Sequence, residues 1–360
     1  MMNASAQVTT VLDLPVKQIK GAKILPLPVR TITKEAQSAG IDKFSLDERI
    51  VYLKRYGDHC MSFSTLQPGM HFYDIPGVGY IAYKMQWGSK FVLSDPVCDE
   101  KDREFIISEF LKDGKHTAFA QISEPVAELI AEKFGYYSTQ FGVETKVDLE
   151  GWDLKGKKKQ VLRTSINKAK KDGICFMEKD KVNGDQELNN AWLKTRKVRN
   201  REILFLIRPM NMDYEKGTRR FYAYKDGELL GFIYFDPVYC DNKVVSYVPN
   251  ISRFSHNFKQ GIFYPLMAHA MEVFKAEGVK YMDLGLSPMV VDDNDLHYES
   301  TIVKKMIRLL YKYGNMVYSF KGLHFTKSRF QGTDCRTFCA HKEKLPIKSF
   351  LSMFKLANIL

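Results

Sequence analysis

Nothing in this 360-residue chain approaches the roughly 20 consecutive apolar residues that cross a bilayer; Ile203–Ile207 is among its longer apolar runs. The opening MMNASAQVTTVLDLPVKQIKG lacks a basic leader followed by an apolar core. A cleaved signal peptide is therefore not expected, and the default address is the cytoplasm. Cysteine is sparse: Cys60, Cys98, Cys175, Cys240, Cys335 and Cys339 are scattered, which suits reduced thiols better than a disulfide framework. Cys335, Cys339 and His341 form the one cluster that invites a zinc assignment. No second Cys/His pair completes a tetrahedral set at finger-like spacing, so no metal is expected.

What is present is a core and a surplus of positive charge. With 45% hydrophobic residues the chain can bury a core of two domains or one double-lobed unit. The net charge of +12 favours polyanions: RNA, anionic lipid headgroups or acidic cofactors. From 154 to 171, LKGKKKQVLRTSINKAKK carries Lys155, Lys157, Lys158, Lys159, Arg163, Lys168, Lys170 and Lys171 without one acid. Val161, Leu162, Ile166 and Ala169 recur at helical spacing, predicting a helix with one inward stripe, ended by Gly173. Cations without compensating acids read as a phosphate-tracking surface; the alternative is a linker helix kept soluble by lysine. Lys194, Arg196, Lys197, Arg199 and Arg201 form a second basic run.

The segment from Val317 to Arg336, VYSFKGLHFTKSRFQGTDCR, gathers aromatics with Lys321, Lys327, Arg329 and Arg336 around Gly322. Val317, Ser319 and Lys321 alternate with Tyr318 and Phe320, which predicts a strand released at Gly322 into a cationic site wall. A solvated basic edge is the alternative.

The first 150 residues read as an α/β lobe. Strands are expected at 60–66, 79–85, 90–97, 116–122 and 136–142. One helix is capped by Asp99, and another runs from Glu124 with Pro125 in its first turn and stops at Gly135. The second half repeats the theme. Strands at 219–226, 229–238 and 243–250 form a meander, followed by a helix whose buried stripe is Ile262, Leu266, Met267, Ala270, Met271 and Phe274. Gly278 ends it and KYMDLGL is the returning strand. Antiparallel strands, a helix, then a strand beside them is the order of the GNAT acyltransferase class. The expected fold is α/β (α+β): two tandem GNAT-like lobes, each a mixed, mostly antiparallel sheet flanked by helices.

The expected divisions are an N-terminal extension (1–35), a first lobe (36–153), a basic connecting helix and linker (154–185), a second, catalytic lobe (186–342) and an amphipathic tail (343–360). In that tail Phe350, Leu351, Phe354 and Leu356 accompany Lys348 and Lys355. The pattern serves equally a peripheral membrane helix and one docked on the protein's own core.

These residues resemble a known family. LSDPV (Leu93 to Val97), LRTSINKAKKDGI (Leu162 to Ile174), DGELLGFIYF, LGLSPM (Leu284 to Met289) and YSFKGLHFTKSRF (Tyr318 to Phe330) fall in the order and spacing of the cytosolic catalytic part of the phosphatidylglycerol lysyltransferases. The resemblance implies transfer of an amino acid from aminoacyl-tRNA to a lipid, within a tunnel between two GNAT-like lobes, without metal or CoA. It also implies tRNA and an anionic lipid or membrane surface as partners, and a place at the inner face of the membrane. Family enzymes usually carry a membrane-embedded half as well; none is present in this sequence, which leaves open whether a separate membrane partner handles the product.

Carried over residue by residue, Arg253 and Lys327 are expected at phosphate or oxyanion contacts, with Arg329 beside them. Asn250, Tyr264 and Asp283 are expected at the donor aminoacyl group. Lys157, Lys158, Lys159, Arg163, Lys168 and Lys170 are expected on tRNA. Lysine-transferring members have an acid where this chain has Asn250, which weakens the expectation that lysine is the donor residue. Among His256, His269, His297 and His324, His269 falls in the helix stripe and reads as packed; His324, within the aromatic and cationic segment, is the secondary catalytic candidate.

Two other readings stay open. An acyl-CoA N-acyltransferase would need bare backbone N–H groups at the start of its main helix, and HNFKQGIFYP (His256 to Pro265) offers only Gly261 there. A non-catalytic RNA or membrane adaptor would bind with steep salt dependence.

Overall fold

The computed structural model describes residues 40–195, 202–211, 213, 215–255, 261–313 and 319–359. The first half supplies β1 (Gly40–Ile41), α1 (Leu46–Tyr56), β2 (His71–Ile75), β3 (Gly79–Gln86), β4 (Ser89–Leu93), β5 (Val97–Cys98), α2 (Arg103–Leu111), β6 (Thr117–Ser123), α3 (Glu124–Phe134) and β7 (Tyr137–Asp148). Helix α4 (Gln160–Lys171) leads to β8 (Cys175–Glu178), α5 (Asp185–Leu193), β9 (Arg219–Lys225), β10 (Glu228–Cys240), β11 (Lys243–Phe254), α6 (Phe263–Ala276) and β12 (Tyr281–Pro288). Then come α7 (Thr301–Tyr313), α8 (Phe320–Ser328), β13 (Thr333–His341) and α9 (Ile347–Leu356).

The same unit occurs twice. Antiparallel β3 and β4 lead through α2 to β6, which lies parallel to β4; antiparallel β10 and β11 lead through α6 to β12, parallel to β11. This is the expected α/β fold with two GNAT-like units and a mostly antiparallel sheet. The two units share that sheet. Among the described residues it is 13-stranded, in the order β1-β2-β3-β4-β6-β13-β7-β12-β11-β10-β9-β8, with β5 paired to β3. Strand β13, near the end of the chain, inserts between β6 and β7 of the first half, and β7 pairs on its other edge with β12. Charged residues from both halves therefore meet around β7.

Local chemistry accounts for the elements. Pro125 enters the first turn of α3, where a missing N–H costs nothing, and Gly135 closes that helix at φ 64°. Helix α6 buries Leu266, Met267, Ala270, Met271 and Phe274 against a sheet face that includes Phe221, Phe235 and Tyr247. Phe274 stacks on Tyr247 with ring centroids 4.3 Å apart. Each large apolar side chain so buried contributes about 1.5–3 kcal/mol, enough to fix that helix on the sheet.

Three sequence expectations fail for identifiable reasons. The expected strand at 60–66 is a turn and a short 3-10 helix, Phe63–Leu66. Thr65 donates its hydroxyl to the Ser62 carbonyl at 2.6 Å, and Gln67 donates its amide to Ser64 and Phe205 carbonyls, local bonds that compete with a strand ladder. The expected strand through Lys321 is instead the start of α8; Val317 and Tyr318 lie outside the described residues. Phe320, Leu323, Lys327 and Phe330 also recur near helical spacing, and the buried Lys327 and Phe330 mark the side that wins. Val161 is 40% exposed, because Leu162, Ile166 and Ala169 form the inward stripe of α4 and Val161 lies about 100° around the helix from it.

The C-terminal tail docks on the protein. Met353 and Leu356 pack against the core, Ala357 is buried, and its carbonyl accepts from the Leu204 N–H.

Candidate active site

Strand register builds a charged seam. Glu144 of β7 pairs with Cys335 of β13 on one side and Leu286 of β12 on the other; Lys146 pairs with Thr333 and Asp283. Residues two apart on a strand share a face, so Glu144 and Lys146 project together while Val143 and Val147, which alternate with them, are buried. The β12 ladder slips between Asp283 and Leu286, where Gly285 adopts φ 70°, a conformation that side chains rarely take. Helix α8 closes on this bulge. Lys327 Nζ lies 3.8 Å from where a Cβ on Gly285 would stand and donates to the Leu286 carbonyl at 2.6 Å.

The first half contributes a histidine. His59 follows α1, and its Nδ1 accepts the Met61 N–H at 3.1 Å and lies 3.1 Å from Ser94 Oγ. With Nδ1 accepting, the neutral ring carries its proton on Nε2, which lies 3.6 Å from Glu144 Oε2. Ser94 belongs to the LSDPV turn, at φ 69°. Asp95 anchors that turn by accepting the Ser123 N–H at 2.8 Å and hydroxyl at 2.6 Å.

Burial then sorts the charges. Desolvation pushes Lys327 down to about 7, against the opposing pull of Cys60 and Glu144. Lys146 is also desolvated, but Asp283, 3.9 Å away, together with Cys335, Cys60 and Glu144, outweighs the burial and raises it. Burial raises Glu144 and Asp283 despite His59 and Lys146 respectively. Burial opposes protonation of His59, yet Glu144 and nearby aspartates overcome it and raise its affinity for a proton. One lysine thus stays charged at neutral pH while the other titrates there. Asp283 Oδ2, Glu144 Oε1 and Ser287 Oγ are buried without a hydrogen-bond partner. An orphan of this kind costs about 1–3 kcal/mol, so a ligand carrying N–H or O–H groups would be stabilised there.

His59, Cys60 and Glu144 bring three ligand atoms within 4.8 Å of one another. They are poorly suited to a dication. Burial holds the Cys60 thiol well above its usual range, hence protonated, and Lys146 and Lys327 both exert their charge on this group. Cys335 and Cys339 lie on one strand, four residues and therefore about 13 Å apart, too far to share an ion.

Of the residues expected from sequence, Lys327 and Asp283 meet in the seam. Asn250 lies on β11 at the slip between the Tyr234–Ile251 and Phe235–Pro249 pairs, with its Nδ2 buried and without a partner. Strands β11 and β12 pair only through Ser246–Tyr281 and Tyr247–Met282, so Asn250 and Asp283 sit on the two strands beyond the point where they part. Arg253 is engaged elsewhere. Its guanidinium donates to Asn189 Oδ1 at 2.7 Å and to Glu202, and lies 4.1 Å from the Trp192 ring centre.

Tyr264 packs beside Phe263 and Phe330. Arg329 stacks 3.7 Å over Phe325, with its Nε buried and unpartnered; His324 Nδ1 is likewise buried and unpartnered. His269 stacks on Phe176 in the packed role expected of it, and His256 lies outside the described residues. In the basic run Lys157, Lys158 and Lys170 are exposed. Lys159 and Arg163 turn back onto backbone carbonyls, and Lys168 lies 3.3 Å from Asp172. Arg196, Lys197, Arg199 and Arg201 lie outside the described residues.

Two cavities, of about 260 and 540 Å³, are lined by residues that include Tyr73, Tyr83 and Lys90 in one case and Leu154 and Arg163 in the other. Asn250, Arg253 and Lys327 line neither, so the expected tunnel is not one of them. Sequence reading missed His59, Glu144 and Lys146. The signal was the continued alternation Val143-Glu144-Thr145-Lys146-Val147, past Gly142 where the strand was expected to end.

Comparison with known proteins bears on the fold and the family. The phosphatidylglycerol lysyltransferase of Staphylococcus aureus (strain COL) is 22% identical over 289 residues, 77% of this chain and 33% of that protein. The enzyme of the same name from Bacillus subtilis (strain 168) is 21% identical over 249 residues, 67% of this chain and 28% of that protein. This chain thus spans about a third of the length of the curated relatives it matches. The structure of L-PGS from Bacillus licheniformis superposes with a TM-score of 0.72 at 22% identity, covering 87% of this chain and 96% of that one. A C-terminal domain (DUF2156) of a lysylphosphatidylglycerol synthetase homologue from Agrobacterium fabrum gives 0.70 at 23% identity, covering 85% and 94%. The family model described as phosphatidylglycerol lysyltransferase, C-terminal, matches residues 50–341, and the chain belongs to that family.

Proposed function

We propose that the chain is an aminoacyltransferase that moves an amino acid from aminoacyl-tRNA to a phosphatidylglycerol-like lipid or another small hydroxyl acceptor, at the seam between β13, β7 and β12. The observation that carries the reading is the pair of lysines whose proton affinities are driven apart there, Lys327 down to about 7 and Lys146 upward. The lysine that titrates near neutrality can take up and return a proton, while the one that stays charged can face an oxyanion.

The acceptor hydroxyl oxygen attacks the ester carbonyl carbon and its proton passes to the neutral Lys327 amine. The carbonyl oxygen becomes an oxyanion facing cationic Lys146. The bond to the tRNA ribose oxygen then breaks, and the proton held by Lys327 goes to that oxygen, so the amine is restored. The donor ester is already activated, and positioning supplies much of the acceleration. The unpartnered carboxylate oxygens of Asp283 and Glu144 suit the α-ammonium group of the donor. Exposed Lys157, Lys158 and Lys170 suit the tRNA backbone. Neither metal nor CoA is required.

Mass spectrometry of lipid extracts from cells expressing the chain or its Lys327→Met variant tests the reading. A new aminoacylated species is expected with the first and not the second. Identical extracts, together with stabilisation of the purified chain by acyl-CoA, would favour the acyl-CoA reading instead.

A further inference from the structure

Helix α7 is apolar on two sides. Val303 and Ile307 are buried against the protein, together with Lys304, whose Nζ donates to Asn294 O and Glu299 at 2.6 Å. Ile302, Met306, Leu309, Leu310 and Tyr313 are all at least 40% exposed, Leu309 reaching 58% and Tyr313 63%. Their spacing of 4, 3, 1 and 3 residues gathers them, at about 100° per residue, into a second stripe away from the buried one. A surface helix on a water-facing protein needs only one such stripe, and five neighbouring exposed side chains of this size form a patch rather than scattered singles. The helix contains no acid, and its exposed Lys305 and Lys312 border the stripe. Phe325 of the following helix α8 is 51% exposed, two residues from the buried Lys327, and α8 starts against the end of α7, where Lys321 Nζ donates to the Lys312 carbonyl at 3.4 Å.

We propose that the exposed face of α7, with Phe325, is an interfacial surface that seats the protein on an anionic lipid bilayer. Charge selects this occupant. An apolar stripe edged by lysines on a chain of net charge +12 matches acyl chains beneath negative headgroups, whereas a second copy would bring like-charged lysines together. The surface adjoins the reacting centre through α8, so a headgroup held at the interface is one short helix away from Lys327. The C-terminal helix α9, which shares the amphipathic pattern, instead has Met353 and Leu356 on the core. The proposal rests on the lipid-acceptor reading for its purpose, but not for its test.

The test is sedimentation of the full chain with vesicles of phosphatidylcholine alone or with phosphatidylglycerol added, comparing wild type, Leu309→Asp/Leu310→Asp, and Leu351→Asp on α9 as control. Wild type and control are expected to partition onto the anionic vesicles, and the double variant to do so about tenfold less or weaker still, with unchanged melting temperature because both positions are exposed. Equal binding by the double variant, no preference for anionic vesicles, or a wild-type dimer that this variant dissociates would each overturn the proposal. Transfer to a detergent-dispersed acceptor separates the two readings. Loss of vesicle binding with transfer intact in detergent supports both; vesicle binding through α7 with no transfer in any format leaves the surface standing and removes the lipid-acceptor reading.

Discussion

Lys327 Nζ and the carbonyl oxygen of Leu286 lie 2.6 Å apart, inside a bulge that Gly285 makes possible. This contact holds the amine of a C-terminal helix against the strand that joins the two halves. It supplies one neutral acceptor, and the pull of Cys60, Glu144 and Asp334 is smaller than the desolvation, so burial wins and the amine titrates near 7.

The sign of the resulting pH dependence is fixed. In the unfolded chain this amine titrates near its ordinary 10.5 and in the folded chain near 7, so between those values the unfolded state binds more protons and stability rises with pH. Each unit is worth about 1.4 kcal/mol, making the charged amine a burden of several kcal/mol below pH 7. Lys327→Met should raise the melting temperature at pH 6 clearly more than at pH 9.5, and thermal unfolding at the two values reads this out. Wild-type transfer should climb through about pH 7 and level off, as the neutral amine becomes available.

Arg253 should behave in the opposite way. With its guanidinium bound to the buried Asn189 and the half-buried Glu202, Arg253→Ala leaves the Asn189 amide oxygen without its donor at a cost of about 1–3 kcal/mol. Denaturant unfolding should show that loss, and activity should fall with the folded fraction. A fully stable, inactive Arg253→Ala would instead place the residue on substrate.

Glu144 is what raises His59 against its burial, helped by nearby aspartates. Glu144→Gln should therefore lower the His59 pKa, followed through the imidazole nitrogen shifts by NMR titration. An unmoved titration would dissociate the pair.

Much of the fold was legible because it rests on periodicity. The stripe of α6, the Pro125 and Gly135 signals of α3 and the three-strand meander of the second half all appear where the sequence puts them. The site was only half legible. Lys327 and Asp283 follow from motif and charge, but their neighbours His59, Glu144 and Lys146 lie far away in sequence, and the last two meet them because β7 pairs with β12, with β13 inserted on its other edge. No local pattern encodes a long-range strand insertion. Arg253 shows the converse: charge and motif are visible, but its partners on α5 and at Glu202 are not.

Asn250 is the residue we propose to set the donor preference. Its buried Nδ2 lacks an acceptor, so a neutral amide faces the place where a carboxylate would draw a cationic side chain. Asn250→Asp should shift donor selectivity toward lysyl-tRNA by about tenfold, the worth of one charge-assisted contact. Competition between differently charged tRNAs measures it, and an unchanged ratio would remove Asn250 from the donor pocket.

Single-turnover transfer from labelled aminoacyl-tRNA to phosphatidylglycerol, with wild type beside a folded Lys327→Met, tests the seam most directly. Labelled lipid should form with wild type, vanish when the tRNA is digested beforehand, and fall at least a hundredfold in the variant, within the usual range for a lost proton-transfer group. Product formed by the variant at the wild-type rate, or none formed by wild type from any charged tRNA, would contradict it.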